Sequence, residues 1–168
     1  MAKSSKSHSS AKTPPAPPKA LPIKLVADNR KARFDYEILT TYEAGLQLVG
    51  SEVKALRADG AQLKDAYIVL KGGELVLVNA HIAPYRASSY NNHLPERVRK
   101  LLLNSSEIAK ISRGLDEKGY SCVPLKIYFK GPWAKVEIAL VRGKKAHDKR
   151  DSIKRRESDR ELRRVRSK

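Results

Sequence analysis

Apolar and polar residues alternate along several short stretches of the chain, and these alternations divide it into elements. Leu125, Ile127 and Phe129 alternate with Lys126 and Tyr128, Gly131-Pro132 turns the chain, and Val136, Ile138 and Leu140 alternate with Lys135, Glu137 and Ala139. Side chains two apart share a face of a strand, so the pattern predicts an antiparallel hairpin. Residues 66–70 and 75–82 form a second strand pair around Gly72-Gly73, a strong turn signal. In its second strand Leu75 and Leu77 occupy one face and Val76 and Val78 the other, which predicts a strand covered on both sides. Upstream, order is expected to begin near Asn29, where Phe34, Tyr36 and Ile38 alternate with Asp35 and Glu37 as on a half-buried strand. That strand is expected to bend around Glu43-Ala44-Gly45 before Leu46, Leu48 and Val49.

Two helices fit between the strands. Ser51 reads as an N-cap, with Glu52 in the first turn of a short helix that displays Val53 and Leu56 and ends before Gly60. Asn104 followed by Glu107 reads as a capping box for a helix to about Lys118, with Ile108, Ile111 and Leu115 on one face and Gly119 as its stop. Pro84 to Arg99, with no periodicity, is expected to be a loop. The expected fold is mainly β: a small closed antiparallel OB-like barrel with two to three short helices.

Charge changes this picture at the two ends. Residues 142–168 carry thirteen cations against five acids, residues 1–33 carry eight cations against one acid, and the body between is nearly neutral within a total of +17. Residues 1–28, rich in Ser, Lys, Ala and Pro, read as a disordered leader; 29–141 as the barrel; 142–168 as a basic tail, disordered when free and helical on a polyanion. In the tail, Asp151 and Arg155, and Asp159 and Arg163, are spaced to support a helix, but such pairs contribute only about 0.2–0.5 kcal/mol each. Basic ends around a neutral body favour a phosphate-rich partner, because Lys and Arg that displace condensed counterions supply sequence-independent affinity for nucleic acid. No apolar run approaches the roughly 20 residues of a membrane span, and the N-terminus lacks the apolar core of a signal peptide, so a cytoplasmic protein is expected. The single Cys122 fits a buried strand position better than a redox role.

Catalytic constellations are weak. His81, His93 and His147 lack metal-ligand spacing, and one cysteine cannot build a zinc site. Gly143-Lys144-Lys145 lacks the earlier glycine and the following Ser or Thr of a phosphate loop. Asp35 and Glu37, on one face of the expected strand, could hold a divalent metal for a nuclease, but as the polar half of an alternating strand they require no such role. No cofactor and no enzymatic activity are expected. Two basic clusters remain, Asn29-Arg30-Lys31-Ala32-Arg33 and Arg97-Val98-Arg99-Lys100 ahead of Leu101-Leu102-Leu103.

These clusters, together with Tyr42-Glu43-Ala44-Gly45, Gly50-Ser51-Glu52-Val53-Lys54-Ala55-Leu56-Arg57, Val123-Pro124-Leu125-Lys126-Ile127-Tyr128-Phe129 and Gly143-Lys144-Lys145-Ala146-His147-Asp148-Lys149-Arg150, resemble the signature stretches of the SmpB family, the SsrA-binding (tmRNA-binding) proteins of bacteria. The six blocks stand in the family's order and cover about Asn29 to Lys168. The resemblance implies an OB-like barrel that binds the tRNA-like domain of transfer-messenger RNA and brings it to stalled ribosomes for trans-translation. The barrel would stand where an anticodon stem would be, and the tail would enter the empty mRNA channel near the decoding centre of the 16S rRNA. It also implies elongation factor Tu with aminoacylated tmRNA as a partner, and a monomer in a 1:1 complex with tmRNA. Asn29, Arg30, Arg33, Glu43, Arg97, Arg99, Lys100, Leu102 and Lys135 are the implied tmRNA contacts. Lys135 would meet phosphate, Asn29 would donate to and accept from RNA, and Glu43 would accept from a base amine or a 2'-hydroxyl. Leu102 could equally be core. In the tail, Gly143, Lys144, Lys145, His147, Asp148, Lys149, Arg150 and Ile153 are implied at the ribosome, the cations tracking phosphates, His147 stacking on a base and Ile153 anchoring the induced helix. A ribosomal or assembly protein that binds rRNA permanently is the neighbouring alternative.

Overall fold

In the computed structural model, which describes residues 21–87, 92–145 and 157–158, the chain forms seven strands and three helices. The strands are β1 (Ile23–Asp28), β2 (Tyr36–Leu46), β3 (Tyr67–Lys71), β4 (Glu74–Val78), β5 (Arg99–Leu102), β6 (Tyr120–Lys130) and β7 (Trp133–Gly143). The helices are α1 (Arg30–Asp35), α2 (Gly50–Ala58) and α3 (Ser105–Asp116). All pairings are antiparallel, and the order β6-β3-β4-β5-β2-β7 closes because β7 also pairs with β6. The OB-like barrel read from the alternation is therefore a ring of six strands, with β1 added along β6 outside the ring.

The expected hairpins are present. β6 and β7 pair from Tyr120–Arg142 to Lys130–Trp133 across a turn in which Gly131 has φ 60°, a conformation that disfavours any other residue. β3 and β4 turn at Gly72 and Gly73, both at positive φ. Leu75 and Leu77 are fully buried and Val76 nearly so, as a doubly covered strand requires. Inside the ring lie Leu63, Ile68, Leu75, Leu77, Leu101, Ile111, Ile127, Val136 and Ile138, each full burial worth about 1.5–3 kcal/mol. Cys122 is buried among them, and desolvation pushes its thiol up to about 12. α3 covers one side: Asn104 N donates to Glu107 Oε2 at 3.1 Å, half of the expected capping box, and Ile111 is fully buried.

Several expectations are corrected. The leader does not extend to residue 28: Ile23–Asp28 is a strand, held by five register pairs to β6, because Leu25-Val26-Ala27 supplies extended apolar chain after the Pro-rich run. Residues 1–20 of that expected leader lie outside the described residues. Phe34 and Asp35 are in α1, not in a strand; the helix displays Ala32 to Val123, Leu125, Ala139 and Val141, and packing there outweighs the local alternation. Asp35 consequently ends a helix while Glu37 lies in β2, so the shared strand face that a metal-dependent nuclease would need is absent. Among the described residues no group of three or more His, Cys, Asp or Glu is placed to hold a metal. β2 runs unbroken through Glu43–Gly45, and its irregularity lies between Ile38 and Thr40. The N-cap of α2 is Val49, two residues before the expected Ser51, whose Oγ pairs instead with His93 Nδ1 at 3.0 Å. β5 begins at Arg99, the last residue of the expected loop. No described helix is long and apolar enough to cross a membrane.

Candidate nucleic-acid interface

Strand register and side-chain alternation build the outer face of the barrel. Val136 and Ile138 of β7 point into the core, so Trp133, Lys135 and Glu137 point outward. Lys135 stands opposite Gly45 of β2 and Tyr128 of β6, and Gly45 stands opposite Leu102 of β5. Leu102, Gly45, Lys135, Tyr128 and Leu25 therefore form one row across five strands. A Cβ on Gly45 would lie 3.1 Å from that of Leu102, so glycine is what lets β5 bring Leu102 against β2. The result is a groove of about 560 Å³ lined by Glu43, Glu74, Lys100, Leu102, Asn104 and Lys135, among others.

Four residues expected to touch RNA thus meet in one place: Glu43, Lys100, Leu102 and Lys135. Leu102 is 52% exposed, which decides between core and surface in favour of surface. Lys100 pairs with Glu74 across the groove. Glu43, still 41% exposed, accepts a short hydrogen bond from the Tyr128 hydroxyl, and its Oε1 lies 3.5 Å from the ammonium groups of both Lys130 and Lys135. The Tyr128 bond, followed by the two lysines, holds its carboxyl below the usual carboxylate range despite partial burial. Burial and that same carboxylate raise the Tyr128 hydroxyl, which stays a donor. Tyr128 and Lys130 were not among the sequence candidates. Their signal was present in the alternation of β6, which turns Lys126, Tyr128 and Lys130 outward, but the register that sets them beside Glu43 is a tertiary fact.

The other sequence candidates lie elsewhere. Arg99 is fully buried and cannot reach RNA. Its Nε donates to Glu52 Oε1 at 2.8 Å, and its terminal nitrogens donate to the carbonyls of Ala80, Pro95 and Arg97 at 2.6–2.8 Å. Glu52, equally buried, also accepts from Arg97 Nη2 at 2.7 Å and from Val49 N at 2.9 Å. Burial alone would raise the Glu52 carboxyl, but Arg97, the Val49 amide and Arg99 outweigh it and hold the pKa below its ordinary value. This network fastens α2 to β5, and of its two arginines only Arg97 reaches solvent. Asn29 is also largely buried. Its Oδ1 accepts from Ala32 N at 3.0 Å, and its Nδ2 donates to the carbonyls of Leu63 and Pro124 at 3.0 and 3.1 Å, so its amide caps α1 and ties it to the barrel. Arg30 and Arg33 remain on the surface around Asp28, with Arg33 also 3.9 Å from Glu137.

β7 separates this groove from the tail. Gly143 pairs with Tyr36, and the Lys144 backbone and ammonium donate to the carbonyls of Asp35 and Arg33 at 3.1 and 3.2 Å. At about 3.3 Å per residue, Lys135 and Gly143 stand up to roughly 26 Å apart along the strand. Arg142 and Gly143, expected to open the tail, are instead the end of β7, and of the tail's other candidates Lys144 and Lys145 are described while His147, Asp148, Lys149, Arg150 and Ile153 lie outside the described residues.

Residues 26–168 match the family model described as SmpB protein. The chain belongs to the SmpB family. It is 63% identical to the SsrA-binding protein of Bdellovibrio bacteriovorus over 141 residues, 84% of this chain and 93% of that one. It is 53% identical to the SsrA-binding protein of Microcystis aeruginosa over 144 residues, 85% and 94% of the two chains. A solved structure described as "tmRNA-SmpB: a journey to the center of the bacterial ribosome" is similar with a TM-score of 0.62 and 50% identity, over 72% of this chain and 85% of that one. The family match begins at Val26, so it takes in the second half of β1, Val26 to Asp28, which was expected to belong to the leader.

Proposed function

We propose that this SmpB-family chain is a non-enzymatic adaptor for ribosome rescue. It binds the tRNA-like domain of tmRNA through the outer groove and delivers it to stalled ribosomes for trans-translation in the cytoplasm. The observation that carries this reading is the meeting of Glu43, Lys100, Leu102 and Lys135 in one exposed groove, in a chain so similar to proteins named SsrA-binding. Lysines supply phosphate affinity. A carboxylate among them adds nothing to affinity for a polyanion, but it accepts from a base amine or a 2'-hydroxyl and so discriminates. Arg30, Arg33 and Arg97 add exposed charge around the barrel. Asn29 and Arg99 support this surface without touching RNA.

Residues 142–168, with thirteen cations against five acids, act at the other end of β7. There the tail enters the empty mRNA channel and becomes helical near the decoding centre of the 16S rRNA, with Lys144, Lys145, Lys149 and Arg150 along phosphates, His147 on a base and Ile153 as apolar anchor. Elongation factor Tu accompanies the aminoacylated tmRNA, and the protein acts as a monomer bound 1:1. The test is binding of the full chain, and of a version ending at Arg142, to the tRNA-like domain and to an ordinary tRNA across a salt series. Both versions are expected to prefer the tRNA-like domain with similar affinity. Loss of all binding on truncation, or no preference in either, would contradict the reading. Co-sedimentation with every ribosome, stalled or not, would favour a resident rRNA-binding protein instead.

A further inference from the structure

The backbone of Trp133 pairs with β6, but its indole takes no part in the described hydrophobic core. It is 66% exposed at the start of β7 and belongs to none of the hydrophobic clusters. It points to the same side of β7 as Lys135, two residues away and so roughly 7 Å along the strand. Register sets it opposite Lys130 on β6, and Lys130 in turn opposite Ile23 on β1, which is equally exposed. Lys130 is one of the two lysines at Glu43, so the indole continues the groove's outer face beyond its charged centre. Leu21 packs beneath the turn at Gly131 and completes an apolar step beside the cations.

An aromatic plane at the end of a cationic groove suits the face of an unpaired base whose phosphate meets a neighbouring lysine. Paired bases expose only their edges, so a platform of this kind selects a loop or an unstacked junction over a continuous duplex. We propose that Trp133 is a stacking platform for an unpaired base of the RNA held in the Glu43–Leu102–Lys135 groove, with Lys130 at the adjacent phosphate. This rests on the RNA-binding reading above and extends the binding site from β2 and β5 across β7 to β6.

Trp133 is the only tryptophan of the chain, so the emission of the full-length protein reports this position alone. Titrated with a synthetic tRNA-like domain of tmRNA, the emission is expected to quench in step with binding and to become shielded from acrylamide. Trp133→Ala and Trp133→Leu should each weaken binding about tenfold, while Trp133→Phe, which keeps an aromatic face, should retain most of it. Because the side chain is exposed, unfolding midpoints should be unchanged, and the leucine variant separates stacking from mere apolar contact. If the wild-type protein binds the RNA with unaltered emission and Trp133→Ala binds as tightly, the platform is overturned while the groove stands. If the wild-type protein fails to bind the tRNA-like domain, the functional reading falls and takes the platform with it. Emission that shifts with protein concentration in the absence of RNA would assign the surface to a second copy of this chain, which also overturns the proposal.

Discussion

Glu52 and Glu43 each hold two cations, and they do opposite things. Glu52 is sealed between α2 and β5 with Arg97 and Arg99, its side chain 0% exposed, while Glu43 is 41% exposed on the outer face between Lys130 and Lys135. Both pKa values are held below the ordinary carboxylate range. The difference is in what remains available. Around Glu52, the Arg99 donors end on the carboxylate and on backbone carbonyls, so the buried part of the network has no donor left for a ligand. Around Glu43, two ammonium groups sit at 3.5 Å with further donors facing solvent, and a second molecule can replace water there. Basic clusters of similar composition thus become a sealed brace in one place and a solvent-accessible face in the other, according to burial.

The largest effect expected from breaking this contrast is on the brace. Glu52→Gln leaves Arg99 charged and buried without a counterion, and Arg99→Met leaves three carbonyls without their donor. Each should cost about 3–5 kcal/mol in urea-unfolding measurements. Acid should act through the same group. Because the folded pKa of Glu52 lies below the ordinary 4.5, its contribution to stability is complete above that value and is lost as pH falls through the lower folded pKa. The wild-type unfolding midpoint should therefore fall below pH 4.5, and the Glu52→Gln protein should show a shallower acid dependence, measurable by thermal melts in a pH series.

Smaller stability effects and larger binding effects are expected on the outer face. Lys135→Ala should weaken RNA binding and reduce the salt slope by about one unit, read from affinities across a salt series. Glu43→Gln should change stability by less than about 0.5–1 kcal/mol, since its ion pairs are half-exposed. It removes a negative charge and an acceptor together. Competition binding should accordingly show tighter association with ordinary tRNA and a reduced preference for the tRNA-like domain.

The sequence made the repetitive parts of this molecule legible and concealed the parts fixed by packing. Alternation from Leu125 to Leu140 and the glycines at 72 and 73 are local signals, and both hairpins stand where they were expected. The Asn104–Glu107 pair likewise marked α3. α1 was missed because Phe34, Tyr36 and Ile38 alternate as a strand would, while the helix depends on the Asn29 cap and on a patch formed by β6 and β7. β1 was missed because its partner β6 lies about a hundred residues away and only pairing gives it order. At the site, the family resemblance points to Glu43, Leu102 and Lys135, yet Arg99 and Asn29 come with them although their side chains face inward. Charge and spacing in a strand like β5 do not reveal which of two adjacent cations is sealed. Arg99 and Lys100 differ by one residue, and hence by one face.

The most direct test of the account is competition between the tRNA-like domain of tmRNA and an ordinary tRNA for the Leu102→Ala, Lys135→Ala double variant, with its urea midpoint measured on the same preparation. The account expects the preference for the tRNA-like domain to disappear while the midpoint stays within the range of surface substitutions. A preference that survives the double substitution in a fully folded protein would show that the outer groove is not the RNA-recognition face.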